Sequence, residues 1–588
     1  MWLAAAITAL CWLFIVWASP RGFDFTDDAA ALADIAYAGS FRALLSSYGR
    51  LWYPFYVLVS GDITLLRLTD VVVLGICGSV FAWALVQFAF PDGCSRLMKA
   101  AIFATLLSGV LWRYYKWLPT PNYNSLMLSG LMLLMAALLL RPAPDESPSV
   151  ALRHGIGAAL VAGVSLAILG LTKASSAVVM VVLALAWLWL TRPRNGMISL
   201  TVAAISCLSV LAIAAILMDG SIPIFIQSLK DAYHVQTLRE TGSGDFHGIG
   251  NSIVQPFLAR YILKSLAVGA AALLLTGMAY VTLVLADREG SHLVGRRCLA
   301  VVVALGLVCL IAWWRIQNIH DPKVNLVAYA WYFAVPAVLG AVVLWTLPAW
   351  RTSSAHRGGI FSGAIIAGLV PFAFAFGTDV PIYLAAAQSS VFWMASAILL
   401  CALLPGIARE RAIVAVALLS TTVTAGMLAG VAAAPGRIGE PLWEQSEEVV
   451  IGPAQAHLLV SATTADFLEQ AQQLTASHGL KPRTTIINAT ETGPGLPFAL
   501  GGISPGLAWL RWEGKKPTAY SREAIRVNRD SLAHAWIITG EGGDAITPST
   551  LRGGGIAVSG DYRAVGHIHH RAFGWDLVFW CPVLDCRD

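Results

Sequence analysis

The chain has 588 residues, of which 57% are hydrophobic and only 12% charged, with a formal net charge of +5. Soluble domains carry about 25% charged residues, so this composition excludes a cytosolic enzyme, a disordered chain and a disulfide-rich secreted module. The basic residues fall in short scattered clusters, not in the single stripe that nucleic acid binding requires.

The expected fold is a polytopic α-helical membrane protein. A helix that crosses lipid needs about 20 mostly apolar residues, and about 13 segments qualify. They lie near 2–18, 67–90, 98–112, 125–140, 155–171, 175–190, 198–217, 264–286, 298–314, 327–347, 359–376, 385–405 and 412–432. Those near 98–112 and 125–140 are short for full spans. The loops holding Arg96/Lys99, Arg141/Arg153, Arg192/Arg194, Arg288/Arg296/Arg297, Arg351/Arg357 and Arg409/Arg411 are short and basic. Alternate loops spread their cations over greater lengths, so the first set reads as cytoplasmic, in the inner (plasma) membrane of a bacterium. The N-terminus is then cytoplasmic and the C-terminal region periplasmic or extracellular. Met1-Trp2-Leu3-Ala4 lacks the basic start of a signal peptide, so the first segment is read as a retained span.

Composition turns polar and rich in Gly and Pro after Pro435. Residues 464–477 have helical periodicity closed by Gly479, and 484–487 and 535–539 read as buried strands. The expected organisation is a transmembrane domain over 1–434, with exterior loops 19–66 and 219–263, followed by a soluble α/β domain over 435–588. Cys581 and Cys586 are the only cysteine pair in that domain. An oxidising compartment would let them bridge, whereas Pro582 and the short separation constrain the geometry, and both states stay open.

The first exterior loop opens with Gly22-Phe23-Asp24-Phe25-Thr26-Asp27-Asp28, three carboxylates directly after an apolar span. Acids there can simply solvate a loop end. However, the stretch from Ala29 to Leu45 can lie along the membrane as a helix, and a carboxylate held beside it can act as general base toward a hydroxyl. Here the chain resembles the GT-C class of integral-membrane glycosyltransferases, which place an acidic pair in a large loop after the first span. Further resemblance lies in Arg67-Leu68, Thr120-Pro121-Asn122-Tyr123-Asn124, Lys173-Ala174-Ser175-Ser176 and Ala375-Phe376-Gly377-Thr378. The matching bacterial branch usually reads Asp-Glu-Gly where this chain has Asp-Asp-Ala, so Asp27 and Asp28 both stand as candidate bases.

The resemblance implies transfer of a sugar from a polyprenyl-phosphate donor to an envelope glycan, lipid or protein, with inversion. It also implies cations near the exterior surface to hold the departing phosphate. Lys173 lies at a tight turn between apolar segments, and Arg315 begins a cluster with His320 and Lys323. Arg113 and Lys116 lie among aromatics, where snorkelling in an aromatic belt is the alternative. Asp24 is expected to contact a sugar hydroxyl or to position Arg50. Loop 219–263 is expected to cap the site through its glycines or to serve as a plain connection. Thr492–Gly502 is read as a glycan-contacting loop or a structural turn. His234, His247, His567, His569 and His570 lack ligand spacing, so no metal or other cofactor is assigned. A lipid or polysaccharide transporter and a non-catalytic envelope scaffold are the alternative functions, although no internal repeat or midplane charge path supports transport.

Overall fold

The computed structural model describes residues 2–41, 45–140, 148–191, 196–242, 340, 355–378, 385–490, 492–513, 516–526, 532, 534–540, 547–553, 558, 561–571 and 574–587. The helical part comprises α1 (Trp2–Ala18), α2 (Asp27–Ala36), α3 (Tyr48–Leu58), α4 (Ile63–Ala89), α5 (Arg96–Val110) and α6 (Tyr123–Leu139). It continues with α7 (Pro148–Thr172), α8 (Ala174–Thr191), α9 (Gly196–Asp219), α10 (Ile222–Gly242), α11 (Ala355–Ala375), α12 (Val391–Ala402) and α13 (Gly406–Ala433). Among the described residues α4, α7, α8, α9, α11 and α13 are long and apolar enough to cross a membrane, and α1, α6 and α12 are shorter apolar helices. The protein is a multi-pass membrane protein. The expected spans near 264–286, 298–314 and 327–347 lie outside the described residues.

Local chemistry sets several helix starts. Asp62 accepts from the Leu65 amide at the head of α4, Ser95 accepts from Met98 in α5, and Asn122 with Ser125 forms a reciprocal cap on α6. The bundle interior is filled by large side chains such as Phe81, Met132, Phe374, Phe392 and Trp393. Apolar side chains also point outward, among them Leu10, Leu13, Val178, Val182, Leu208 and Leu217. Such a face is stable only where lipid replaces water. The two short predicted spans appear as α5 and α6. α6 is buried along most of its length, so packing supplies an environment that its short apolar run does not need to reach through alone.

After α13 the chain enters the α/β region. Hairpin β1 (Glu447–Ile451) and β2 (Ala456–Val460) precedes helix α14 (Ala462–Ser477). β3 (Ile486–Ala489), β6 (Trp536–Gly540), β7 (Tyr562–His570) and β8 (Trp575–Pro582) form a sheet in the order β3-β6-β8-β7. The β3–β6 pair is parallel and the other pairs are antiparallel. A two-stranded ribbon, β4 (Trp512–Glu513) and β5 (Lys516–Pro517), lies apart from that sheet. Gly479 follows α14 with φ +92°, the left-handed geometry that ends a helix. Cys581 and Cys586 are separate thiols. Burial and the neighbouring thiol push the Cys581 ionisation upward.

This region seats directly on the first loop. Leu459 of β2 exchanges backbone bonds with that loop, Gly22 N donating to Leu459 O and Leu459 N to Pro20 O, both at 2.8 Å. The Gly495 amide donates to Phe25 O at 2.8 Å. Phe23, Phe25, Leu32 and Ile35 thereby share one core with Leu458, Phe467 and Phe498.

Two loop expectations change. The segment after Asp28 is not a long helix lying along a membrane surface. α2 ends at Ala36, is buried on nearly every side, and packs against α3 and the α/β region. Residues 222–242 of the second loop form helix α10, which reaches Leu507 and Ala524 through Val235. The glycine-bearing half of that loop, and His247 with it, lies outside the described residues.

Candidate active site at the domain-bearing end

The end of the bundle that carries the α/β region gathers the first-loop acids with the ends of α1, α4, α6, α7, α9 and α11. Asp24 initiates the arrangement. Its Oδ1 accepts from the Thr26 amide at 2.9 Å and the Thr26 hydroxyl at 2.6 Å, and its Oδ2 accepts from the Asp28 amide at 3.3 Å. Burial pushes its pKa upward, and the Thr26 bonds oppose that shift. Thus Asp24 braces the start of α2. It does not position Arg50, whose guanidinium instead meets Asp219 at 2.8 Å. The reason is direction: Asp24 Oδ1 is held by Thr26, and Oδ2 faces the Asp28 amide and, at 3.7 Å, Arg437.

Asp27 and Asp28 begin α2, where partial positive charge from the helix end favours carboxylates. Their surroundings then diverge. Asp28 is buried, its Oδ2 paired with Arg67 Nη2 at 2.7 Å and its Oδ1 accepting from the Thr120 amide at 3.0 Å. Arg67, near the start of α4, spends its other donors on Thr120 Oγ1, Ser19 O and Gly22 O at 3.2, 2.9 and 3.1 Å. One guanidinium therefore ties together α1, the first loop, α4 and the approach to α6. The Asp27 side chain is 45% exposed and meets Arg437 Nη1 at 2.5 Å. The same nitrogen donates to Thr26 Oγ1 at 2.9 Å. Of the two candidate bases, only Asp27 is thus reachable from solvent.

The expected cations separate similarly. Arg113 is buried, donates to Thr120 O at 3.3 Å, and balances the buried Asp70 of α4. Its place is inside the fold. Lys116 is half-buried, with its ammonium 5.5 Å from the Tyr115 ring centre. Lys173, between α7 and α8, donates to Phe374 O at 2.9 Å at the end of α11, a position where a helix favours a cation. Ser176 and Ser175 donate to Phe374 O and Phe376 O at 3.3 and 3.1 Å. The Lys173–Ser176 and Ala375–Thr378 motifs, far apart in sequence, therefore form one joint. Arg315, His320 and Lys323 lie outside the described residues.

The Thr492–Gly502 segment meets the first loop. A Cβ added at Gly495 would fall 2.4 Å from Phe25 Cα, so only glycine permits this approach. Asn488 shapes the turn by donating to Gly493 O at 2.6 Å. Its observed role is to clamp Phe25 and Thr26 one residue before Asp27. Among the described residues no three His, Cys, Asp or Glu side chains gather as a metal-ligand group.

No family model matches this sequence, and no curated protein does so significantly. Among solved structures the chain is similar to ArnT from Cupriavidus metallidurans bound to undecaprenyl phosphate, at 15% identity over 98% of this chain and 97% of that one, with a TM-score of 0.43. It is also similar to the Archaeoglobus fulgidus oligosaccharyltransferase tethered with an acceptor peptide, at 11% identity over 92% of this chain and 69% of that one, with a TM-score of 0.45.

Sequence reasoning missed Arg437, Asp34, Asp70 and Asp219. Arg437 reaches Thr26 across 411 positions of sequence. Its signal is its place between two glycines with positive φ, Gly436 at +87° and Gly439 at +89°, which turn the chain back toward the loop. Asp70 stands out in retrospect as an acid inside an apolar run.

Proposed function

We propose that this protein is an integral-membrane glycosyltransferase that moves a sugar from a polyprenyl-phosphate donor to an envelope glycan, lipid or protein. Asp27 takes the proton from the acceptor hydroxyl as that oxygen attacks the anomeric carbon. The bond to the polyprenyl phosphate breaks on the opposite face, the phosphate leaves with the electron pair, and the anomeric configuration inverts. Lys173 and Lys116, together with Arg315, His320 and Lys323, supply positive charge for the departing phosphate. Asp28, Asp24 and Arg113 hold the platform on which Asp27 stands. The reaction takes place on the exterior face of a bacterial inner membrane, with the N-terminus cytoplasmic.

The observation that carries this reading is the contrast between the two adjacent acids. Asp28 has both oxygens filled by buried donors, whereas the Asp27 side chain is 45% exposed and is paired only at its Oδ2, with the solvent-facing Arg437. A general base must be both fixed and reachable. The GT-C resemblance of the first loop supplies the substrate class. Lipid mass spectrometry of cells lacking the chain should show an accumulated polyprenyl-phosphate sugar, restored to normal by wild-type protein. An unchanged lipid profile together with unchanged envelope glycans would contradict the proposal.

A further inference from the structure

Arg437 lies in the linker between α13, which ends at Ala433, and the α/β region. Its guanidinium meets the first loop through a single nitrogen. Nη1 lies 2.5 Å from Asp27 Oδ2 and 3.7 Å from Asp24 Oδ2, and it donates to Thr26 Oγ1 at 2.9 Å. The Thr26 and Asp24 oxygens are themselves fixed, because the Thr26 hydroxyl donates to Asp24 Oδ1 at 2.6 Å and Asp24 is buried. The linker is fixed as well. Ile438, the next residue, is buried, and a Cβ added at Gly22 would fall 2.3 Å from Ile438 Cδ1. Arg437 is thus anchored at its backbone by Ile438 and at its tip by Thr26, while its side chain stays 38% exposed.

A carboxylate on the exposed first turn of a helix rotates about its side-chain bonds, yet a working base must be held within about 0.5 Å of its productive position. The contact with Arg437 removes that freedom at Oδ2 alone. Asp27 Oδ1 has no partner among the described residues, so its lone pairs remain available to a proton. One nitrogen meets one oxygen here, unlike the parallel two-bond fork that fills both oxygens of a carboxylate. An exposed pair of this kind contributes little to folding. Its consequence is directional: it aims Asp27 without occupying it. Asp24 belongs to the same arrangement, since it holds Thr26 and through Thr26 the tip of Arg437.

We infer that Arg437 is a positioning residue for the transfer reaction, its Nη1 holding Asp27 Oδ2 so that Oδ1 is the oxygen turned to the acceptor. The acceptor proton passes to Oδ1 while Oδ2 stays on Arg437. The acceptor oxygen bonds to the anomeric carbon as the polyprenyl phosphate leaves with the electron pair. Through Ile438 and the linker, the seating of the α/β region then sets the aim of the base. This rests on the proposed role of Asp27 and extends it to a residue outside the first loop.

The test is steady-state transfer by the full chain in proteoliposomes, supplied with a polyprenyl-phosphate sugar fraction and envelope acceptor material. Misplacing a reacting group by about 1 Å can cost about 10²-fold in rate, so Arg437→Gln should lower kcat by about 10- to 100-fold. The apparent KM for either substrate and the unfolding temperature should stay at their wild-type values. Arg437→Lys should keep most of the wild-type kcat, because one ammonium can make every contact that Nη1 makes. In the Asp27→Asn background Arg437→Gln should cause no further loss, since it acts only through Asp27. A merely structural arginine would lower kcat by the same factor in both backgrounds. That result, a wild-type kcat in Arg437→Gln, a raised KM with kcat unchanged, or failure of Arg437→Gln to fold would each overturn the inference. Wild-type transfer by Asp27→Asn would instead defeat the proposed base, whereas an inactive Asp27→Asn beside a fully active Arg437→Gln defeats this inference alone.

Discussion

Asp27 and Asp28 are the same residue type one position apart, and the difference between them is entirely one of partners. Asp28 faces Arg67 inside the fold, with the two side chains 1% and 0% exposed. Removing one member of such a buried pair strands the other charge and costs about 3–5 kcal/mol. Asp28→Asn should therefore lower the thermal unfolding temperature by several degrees in nanodiscs. Asp27→Asn removes only an exposed pair with Arg437, an interaction worth about 0–1 kcal/mol, and should unfold near the wild-type temperature. Equal stability of the two variants would contradict the assignment of Asp28 to the scaffold. The sequence marked both acids as special, because carboxylates after an apolar span are conspicuous. It could not divide their roles, since Arg67, Thr120 and Arg437 arrive from three distant segments.

At the scale of elements, six of the expected spans appear among the described residues as helices long and apolar enough to cross, legible because lipid demands long apolar runs and little else. The first-loop helices were less so. α2 is rich in alanine and its apolar residues suit a membrane surface as well as a protein interior. Only the arrival of Leu458, Phe467 and Phe498 decides between them. α10 was hidden by its mixed composition and by the glycines that follow it. The contact between the Gly493–Gly495 turn and Phe25 was equally invisible, although the glycines themselves were noted. It carries a direct prediction. Gly495→Ala places a methyl group 2.4 Å from Phe25 Cα, an overpacking of the kind that costs about 1–3 kcal/mol. It should shift the first loop and reduce sugar transfer. Gly39→Ala, at a position with nothing within 4 Å, should be nearly neutral. Limited proteolysis of the first loop beside a transfer assay checks both, and an unaffected Gly495→Ala protein would deny the turn its clamping role.

For the whole molecule, the α/β region and the first loop form one packed unit, with His570 of β7 at the seam among Phe25, Phe467 and Trp575. Burial lowers the His570 pKa from 6.5 to about 4. As pH falls, the unfolded chain takes up this proton near 6.5, whereas the folded chain resists until about 4. The contribution of His570 to stability is therefore fully present above about 6.5 and is lost between there and about 4. A pH series of thermal unfolding should show a steeper decline through this window for wild type than for His570→Phe. Identical slopes would remove His570 as the cause.

The central claim is that the exposed carboxylate of Asp27 accepts the proton in glycosyl transfer. It is tested by comparing purified wild type and Asp27→Asn in proteoliposomes, at equal folded protein, supplied with a polyprenyl-phosphate sugar fraction and envelope acceptor material. A general base contributes about 10²–10⁴ in rate, so the variant should retain its fold and lose transfer by about that factor. Transfer by Asp27→Asn at the wild-type rate would contradict the account.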